Sequence, residues 1–240
     1  TFVYPDGEEA VLKDVSFSAK QGETIAFIGS TGSGKSTLIN LIPRFYDVSC
    51  GKITVDGINI QDYSMKELRD KIGFIPQKAM LFTGTIADNI RYGKEDATDE
   101  EVAHAARIAQ GYDFIMEKPL GFHEVITESA TNVSGGQRQR LSIARAIIKK
   151  PQIYIFDDSF SALDFKTDAS LRKALKDETK ESIVLVVAQR ISTIMDADQI
   201  IVLHEGQVVG KGKHHDLLKT CPIYHEIAAS QLSEEELAYE

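Results

Sequence analysis

Residues Gly29, Ser30, Thr31, Gly32, Ser33, Gly34, Lys35, Ser36 and Thr37 run consecutively, interleaving three glycines with hydroxyl side chains and one lysine. The glycines permit backbone angles that a β-carbon hinders, so successive amide N–H groups can turn inward on a chain of phosphates. A helix starting here would add its partly positive N-terminus. Lys35 would reach the β- and γ-phosphates and the Ser36 hydroxyl would face Mg²⁺. About 120 residues later an apolar run at 153–156 ends in two carboxylates, Asp157 and Asp158. A phosphate cradle and a carboxylate at a strand end together make a nucleotide-binding ATPase core, with Asp157 holding the Mg²⁺ through water. Phosphate loops serve kinases, GTPases, helicases and transporters alike, so the loop by itself names no reaction.

Elements must hold these groups. The apolar stretch 24–28 predicts a strand leading into the glycine-rich turn, and 35–42 predicts the helix leaving it. Runs 153–156 and 183–187 are apolar without alternation, as in strands covered on both faces of a parallel sheet. With a helical stretch at 166–176 between them, the core is α/β. Residues 11–17 and 52–55 are β-type and lie near Asp-Gly turns, which predicts an N-terminal antiparallel subsheet. Residues 85–150 read as helical: Thr98 and Glu101 form a capping box ahead of Val102, Ala106 and Ala109. A second helix over 137–149 carries Leu141, Ala144 and Ile148 on one face. The expected architecture is a single P-loop NTPase domain over 1–240. Its core and antiparallel β subdomain occupy about 1–84 and 151–240, and a helical subdomain is inserted at about 85–150.

Composition narrows the partners. The net charge of −9 argues against nucleic acid, whose phosphate backbone demands clustered Lys and Arg. The acidic runs at 94–101 and 233–237 read as solvated faces. No apolar run approaches the roughly 20 residues that span a bilayer. The opening residues have neither the basic nor the apolar region of a signal peptide, and a start at Thr1 reads as a domain cut from a longer polypeptide. Cys50 and Cys221, far apart in the chain, fit a reducing compartment better than a disulfide scaffold.

A second glycine-hydroxyl site stands at Val133-Ser134-Gly135-Gly136-Gln137-Arg138-Gln139-Arg140. Physically it is another helix N-terminus able to take an anion. It resembles the signature motif of ATP-binding cassette (ABC) proteins, which usually begins with leucine rather than Val133. Other motifs of that family follow in order. Tyr4 is similar to the aromatic that stacks on adenine. Gln77, within FIPQKAMLFTGTIADNI, resembles the Q-loop glutamine that reaches Mg²⁺ and the attacking water, and the phrase is similar to the exporter branch. Glu128 resembles the acidic residue of the exporter X-loop, although Ala130 stands where glycine is common. Ser161-Ala162-Leu163-Asp164 is similar to the D-loop. The resemblance implies an exporter ATPase domain at the cytoplasmic face of a membrane, its transmembrane domain on the same parent polypeptide. It implies ATP and Mg²⁺ as cofactors, with Ser36, Gln77 and Asp157 at the metal. It also implies a head-to-tail dimer in which Ser134, Gly135, Gly136 and Gln137 bind the γ-phosphate of ATP held by a second nucleotide-binding domain.

Two positions depart from that pattern. A fully active member has a glutamate after the Mg²⁺ aspartate as general base; here Asp158 is one methylene shorter, leaving its oxygens roughly 1 Å or more short. A base must lie within about 2.6–3.2 Å of its proton, and losing one typically costs roughly 10²–10⁴ in rate. Gln189 stands where the family has a switch histidine at the γ-phosphate; an amide donates a hydrogen bond but gains no proton. With the binding motifs intact, the pair resembles the degenerate half of a heterodimeric exporter. A homodimer with weakened hydrolysis and a non-hydrolytic, ATP-gated clamp stay open. A chromosome-maintenance ATPase shares the signature, but only about 57 positions separate Gln77 from Ser134, too few for its long coiled coil.

Four histidines carry less. His214 and His215 are expected to cap a helix or face solvent, and His104 and His123 to lie at the surface. Gln137, Arg138, Gln139 and Arg140 could suggest a nucleic-acid patch but are expected, from their helical spacing, on the polar face of the signature helix.

Overall fold

The computed structural model describes residues 1–233 and Leu237. Most of the 233–237 acidic run, expected as a solvated face, therefore lies outside the described residues. In chain order the strands and helices are β1 (Thr24–Ile28), α1 (Lys35–Leu41), β2 (Thr54–Val55), β3 (Ile58–Asn59), α2 (Met65–Asp70), β4 (Ile72–Ile75) and β5 (Gly84–Thr85). Next come α3 (Ile86–Arg91), α4 (Asp99–Ile108), α5 (Tyr112–Met116), β6 (Val125–Ile126), α6 (Gly135–Ile148), β7 (Ile153–Asp157) and α7 (Phe165–Glu178). Then come β8 (Ile183–Val187), α8 (Ile191–Ile194), β9 (Gln199–His204), β10 (Gln207–Gly212), α9 (His214–Thr220) and α10 (Pro222–Ala229).

The chain divides into two compact units, Thr1–Ile72 with Ile183–Glu240, and Gly73–Ser182. In the first, β1 lies between parallel neighbours, with Phe27 opposite Val187 of β8 and Ile201 of β9. β10 closes that edge antiparallel to β9. β1 and β8 are two of the expected non-alternating apolar runs, β9 is a further apolar strand outside those expectations, and Ala26, Phe27, Ile200, Ile201, Val202 and Leu203 are fully shielded from solvent. Sheet strands covered on both faces have no polar side to show, hence the unbroken apolar sequence. The N-terminal antiparallel β elements are a short β2–β3 hairpin and a bridge from Phe2 to Leu12. Residues 11–17, expected as a strand, give only that bridge. Val11 and Leu12 donate to the Phe2 carbonyl and Lys13 to that of Gly206, and Asp14 then turns left-handed (φ 50) and ends the extension.

The second unit is mainly helical. α3, α4, α6 and α7 each begin at a side-chain cap: Thr85, Thr98, Ser134 and Asp164 accept from backbone N–H groups one turn in. The expected Thr98–Glu101 box is present, and Val102, Ala106 and Ala109 are buried behind it. α6 buries Leu141, Ala144 and Ile148. The unit also pairs β5 with β6, Gly84 opposite Ile126, a contact too short for any sequence period to announce. β7 is buried along its whole length and ends in Asp157. Among the described residues, no helix is long and apolar enough to cross a membrane.

Candidate functional site

In the first unit, the phosphate loop leaves the C-terminal end of β1. Gly29 has a steric reason to be glycine: a β-carbon there would lie 2.0 Å from the Leu203 carbonyl oxygen. Gly34 is the N-cap of α1 in a left-handed conformation (φ 100) and supplies no side-chain cap. The first N–H groups of α1 are thus left without a side-chain acceptor from the cap residue. Lys35 bends back over the loop, its Nζ donating to the Gly29 and Ser30 carbonyls at 2.8 Å each and to Ser33 Oγ at 3.3 Å. The ammonium therefore sits among the loop's own oxygens, in a ring that phosphate oxygens can replace. Tyr4 shares a 3.0 Å hydrogen bond between its hydroxyl and Thr37 Oγ1, which pins its ring beside α1.

Gln189 follows β8 two residues beyond Val187, and Ala188 N–H donates to Phe27 O at 3.2 Å. The phosphate loop and the Gln189 loop thus leave one edge of the sheet, at the C-terminal ends of neighbouring parallel strands, where open α/β sheets take ligands. The backbone at Gln189 has a partner that no sequence signal marks. Gln231 Nε2 donates to the Gln189 carbonyl at 2.8 Å, and Gln231 Oε1 accepts from Ile191 N–H at 2.8 Å.

In the second unit, Asp157 and Asp158 are both buried at the end of β7, and Asp158 takes a left-handed backbone (φ 47). Gln77 meets it directly: Nε2 donates to Asp158 Oδ2 at 3.1 Å. Ser159 Oγ donates to Ile75 O at 2.8 Å, fixing the end of β7 to the end of β4, from which Gln77 follows. Ser161 Oγ donates to the Asp158 carbonyl at 2.7 Å. Asp164 caps α7, and the N–H and hydroxyl of Thr167 hold its carboxyl below the ordinary range.

The signature residues open α6. Ser134 accepts from Gln137 N–H at 3.2 Å and the Gln137 side chain accepts from Ser134 N–H at 3.0 Å, a reciprocal capping box. The two glycines differ in purpose. A β-carbon on Gly135 would meet open space, whereas one on Gly136 would press on the Ala162 carbonyl at 3.3 Å. Val133, the departure from leucine, is buried. Just before it, Ala130 holds a left-handed backbone (φ 51), the conformation that explains glycine in the motif it resembles.

The expected polar face of α6 is only partly polar. Gln139 is buried and donates through Nε2 to the Pro76 carbonyl at 3.1 Å, beside Gln77. Arg140 donates to Gln110 O at 2.7 Å and lies over the Phe114 ring. Both long side chains find partners inside the unit, so helical spacing alone misassigned them. His214, expected in solvent or as a cap, is buried with Nδ1 against the Tyr224 hydroxyl, while His104 stays at the surface beside Glu178.

A family model described as "ABC transporter" matches residues 12–161. An uncharacterized ABC transporter ATP-binding protein of Mycobacterium tuberculosis (strain ATCC 25618 / H37Rv) is 47% identical over 234 residues, 96% of this chain and 40% of that protein. A putative multidrug export ATP-binding/permease protein of Staphylococcus aureus (strain NCTC 8325 / PS 47) is 45% identical over 231 residues, again 96% and 40%. Among solved structures, a bacterial Atm1-family ABC exporter with ATP bound is similar at a TM-score of 0.93 and 37% identity, covering 97% of this chain and 41% of that one. The chain thus spans about two fifths of the length of the relatives it matches.

Proposed function

This chain belongs to the ABC transporter family of ATP-binding domains, a family of ATPases, and from that premise we propose that it is the nucleotide-binding domain of a membrane exporter whose own site binds Mg-ATP and turns it over slowly. Tyr4 stacks on adenine, and the backbone of Gly29 to Gly34, with Lys35, Ser36 and Thr37, binds the phosphates. Ser36, Asp157 and Gln77 offer a hydroxyl, a carboxylate and an amide oxygen, the hard donors that suit Mg²⁺; the bound ion would supply charge for the phosphates. Asp158, Gln77 and Gln189 are the groups at the reacting phosphate. Ser134, Gly135, Gly136 and Gln137 complete the site of a second nucleotide-binding domain on a different chain, in a head-to-tail dimer. The transmembrane domain belongs to the same parent polypeptide, which places this domain at the cytoplasmic face of the membrane. By role, we assign the core and β subdomain to about 1–84 and 151–240 and the helical subdomain to about 85–150, bounds that differ from those of the two compact units.

One observation carries the slow-site reading. Asp158 occupies the general-base position with a side chain one methylene short, and one of its oxygens is already engaged by the Gln77 amide at 3.1 Å. A base that does not reach its water loses roughly 10²–10⁴ in rate. Gln189 compounds the loss, since an amide can donate to the γ-phosphate without bringing positive charge.

The test is steady-state ATP hydrolysis by this chain alone and mixed with a partner domain that carries glutamate and histidine at the two positions. Turnover is expected only in the mixture, and Ser134→Arg in this chain should abolish it there. Equal turnover by the chain alone would replace this reading with a homodimer of adequate hydrolytic power.

A further inference from the structure

Gln231 lies just past α10, on the surface and 42 positions from Gln189. Its backbone is not loose: Gln231 N–H and Leu232 N–H both donate to the Ala228 carbonyl, at 2.9 and 2.8 Å. α10 itself is rooted by Tyr224 and Ala228, both fully shielded from solvent, and by the Tyr224 contact with His214 of α9. From this anchor the Gln231 amide reaches the two ends of the turn Gln189-Arg190-Ile191. Only one orientation of the amide satisfies both bonds, oxygen toward Ile191 N–H and nitrogen toward Gln189 O.

α8 needs this. Arg190 stands at its N-cap and makes no side-chain cap bond, so the Ile191 N–H is one of the donors a helix start leaves without an intrahelical partner. Gln231 caps that donor from another element and binds the preceding carbonyl with the same group. The two bonds together fix the position and the peptide orientation of Gln189. We propose that Gln231 is a positioning residue that aims the Gln189 side chain at the γ-phosphate. The inference rests on the reading of Gln189 given under the proposed function. It makes α10 a support for the Gln189 loop and predicts that loss of the clamp is felt by ATP and not by ADP.

The experiment titrates the full chain with Mg-ATP and with Mg-ADP in four forms: unchanged, Gln231→Ala, Gln231→Glu and Gln189→Ala. Exchange of the Ile191 amide proton is followed by NMR in each. Gln231→Ala should weaken Mg-ATP about fivefold while Mg-ADP stays within about twofold, and should speed Ile191 exchange. Gln231→Glu keeps the acceptor for Ile191 N–H but faces the Gln189 carbonyl with a carboxylate. It should weaken Mg-ATP as much while leaving Ile191 protected. A role confined to holding the C-terminus would move ATP and ADP together or neither, and either result overturns the proposal. If Gln189→Ala shifts the ATP-to-ADP ratio and the Gln231 variants do not, positioning by Gln231 alone is refuted. If Gln189→Ala leaves the ratio unchanged, Gln189 is not at the γ-phosphate and both readings fall.

Discussion

Two helices of this chain begin at glycine-rich, hydroxyl-bearing sequences, and their ends are built differently. α1 starts at Gly34, which offers no capping side chain, and Lys35 waits among the loop carbonyls. α6 starts at Ser134, which closes a reciprocal box with Gln137. Both sequences suit an anion at a helix N-terminus. The first has no capping side chain, so a phosphate meets N–H groups that the cap residue does not serve. The second has two of its donors taken, so a phosphate there must compete with the Gln137 side chain for the Ser134 N–H and with the Ser134 hydroxyl for the Gln137 N–H. The difference fits a division in which α1 serves this chain's own nucleotide continuously, while α6 serves one that arrives only when the partner does.

The largest effect that could break the comparison is Lys35→Ala. Removing the ammonium should cost the isolated chain roughly 100-fold or more in Mg-ATP affinity, measured by titration; unchanged affinity would mean that α1 is not the nucleotide's seat. Next comes repair of the chemistry. Asp158→Glu with Gln189→His, assembled with the partner domain, should raise hydrolysis at this chain's site roughly 10²-fold. No gain in single-turnover assays would put the defect in the partner's signature residues. Ser134→Ala is smaller and sharper. It should lower unfolding stability by about 1 kcal/mol, as losses of an N-cap do, while Mg-ATP binding to the isolated chain stays as it was. A loss of binding there would erase the distinction between the two helix ends.

The smallest effect concerns α4, whose cap carries charge where that of α6 is neutral. Lys94, then the Thr98 N–H, hold Glu101 below its ordinary value of 4.5. A depressed carboxyl contributes stability above its unfolded value and loses it as pH falls through the folded one. The stability difference between the unchanged chain and Glu101→Gln should therefore be present near neutrality and vanish in acid below 4.5. The contribution of Ser134 should show no such slope.

Much of this was legible in the residues, for physical reasons that differ by place. β1, β7 and β8 announce themselves because strands buried on both faces must be apolar throughout. The α4 box and the phosphate loop are local, with each partner only a few positions away. What escaped was long-range or depended on a side chain's choice of partner. The Gln231 clamp joins residues 42 apart through one surface amide, and nothing in the spacing marks it. Gln139 and Arg140 look like a polar face until the Pro76 and Gln110 carbonyls are found waiting for them. His214 gave no sign of burial because its partner, Tyr224, belongs to the next helix.

Ala130 has a consequence for how often the chain breathes. Its methyl group sits in a left-handed turn three residues before Val133, where an L side chain costs about 1 kcal/mol more than glycine once glycine's greater freedom when unfolded is counted. Where opening the turn relieves that cost, it corresponds to a roughly fivefold larger open population than glycine would give. The approach to α6 thus carries strain that glycine would not, and Ala130→Gly is expected to slow amide exchange in this turn while leaving every group proposed to meet a nucleotide in place.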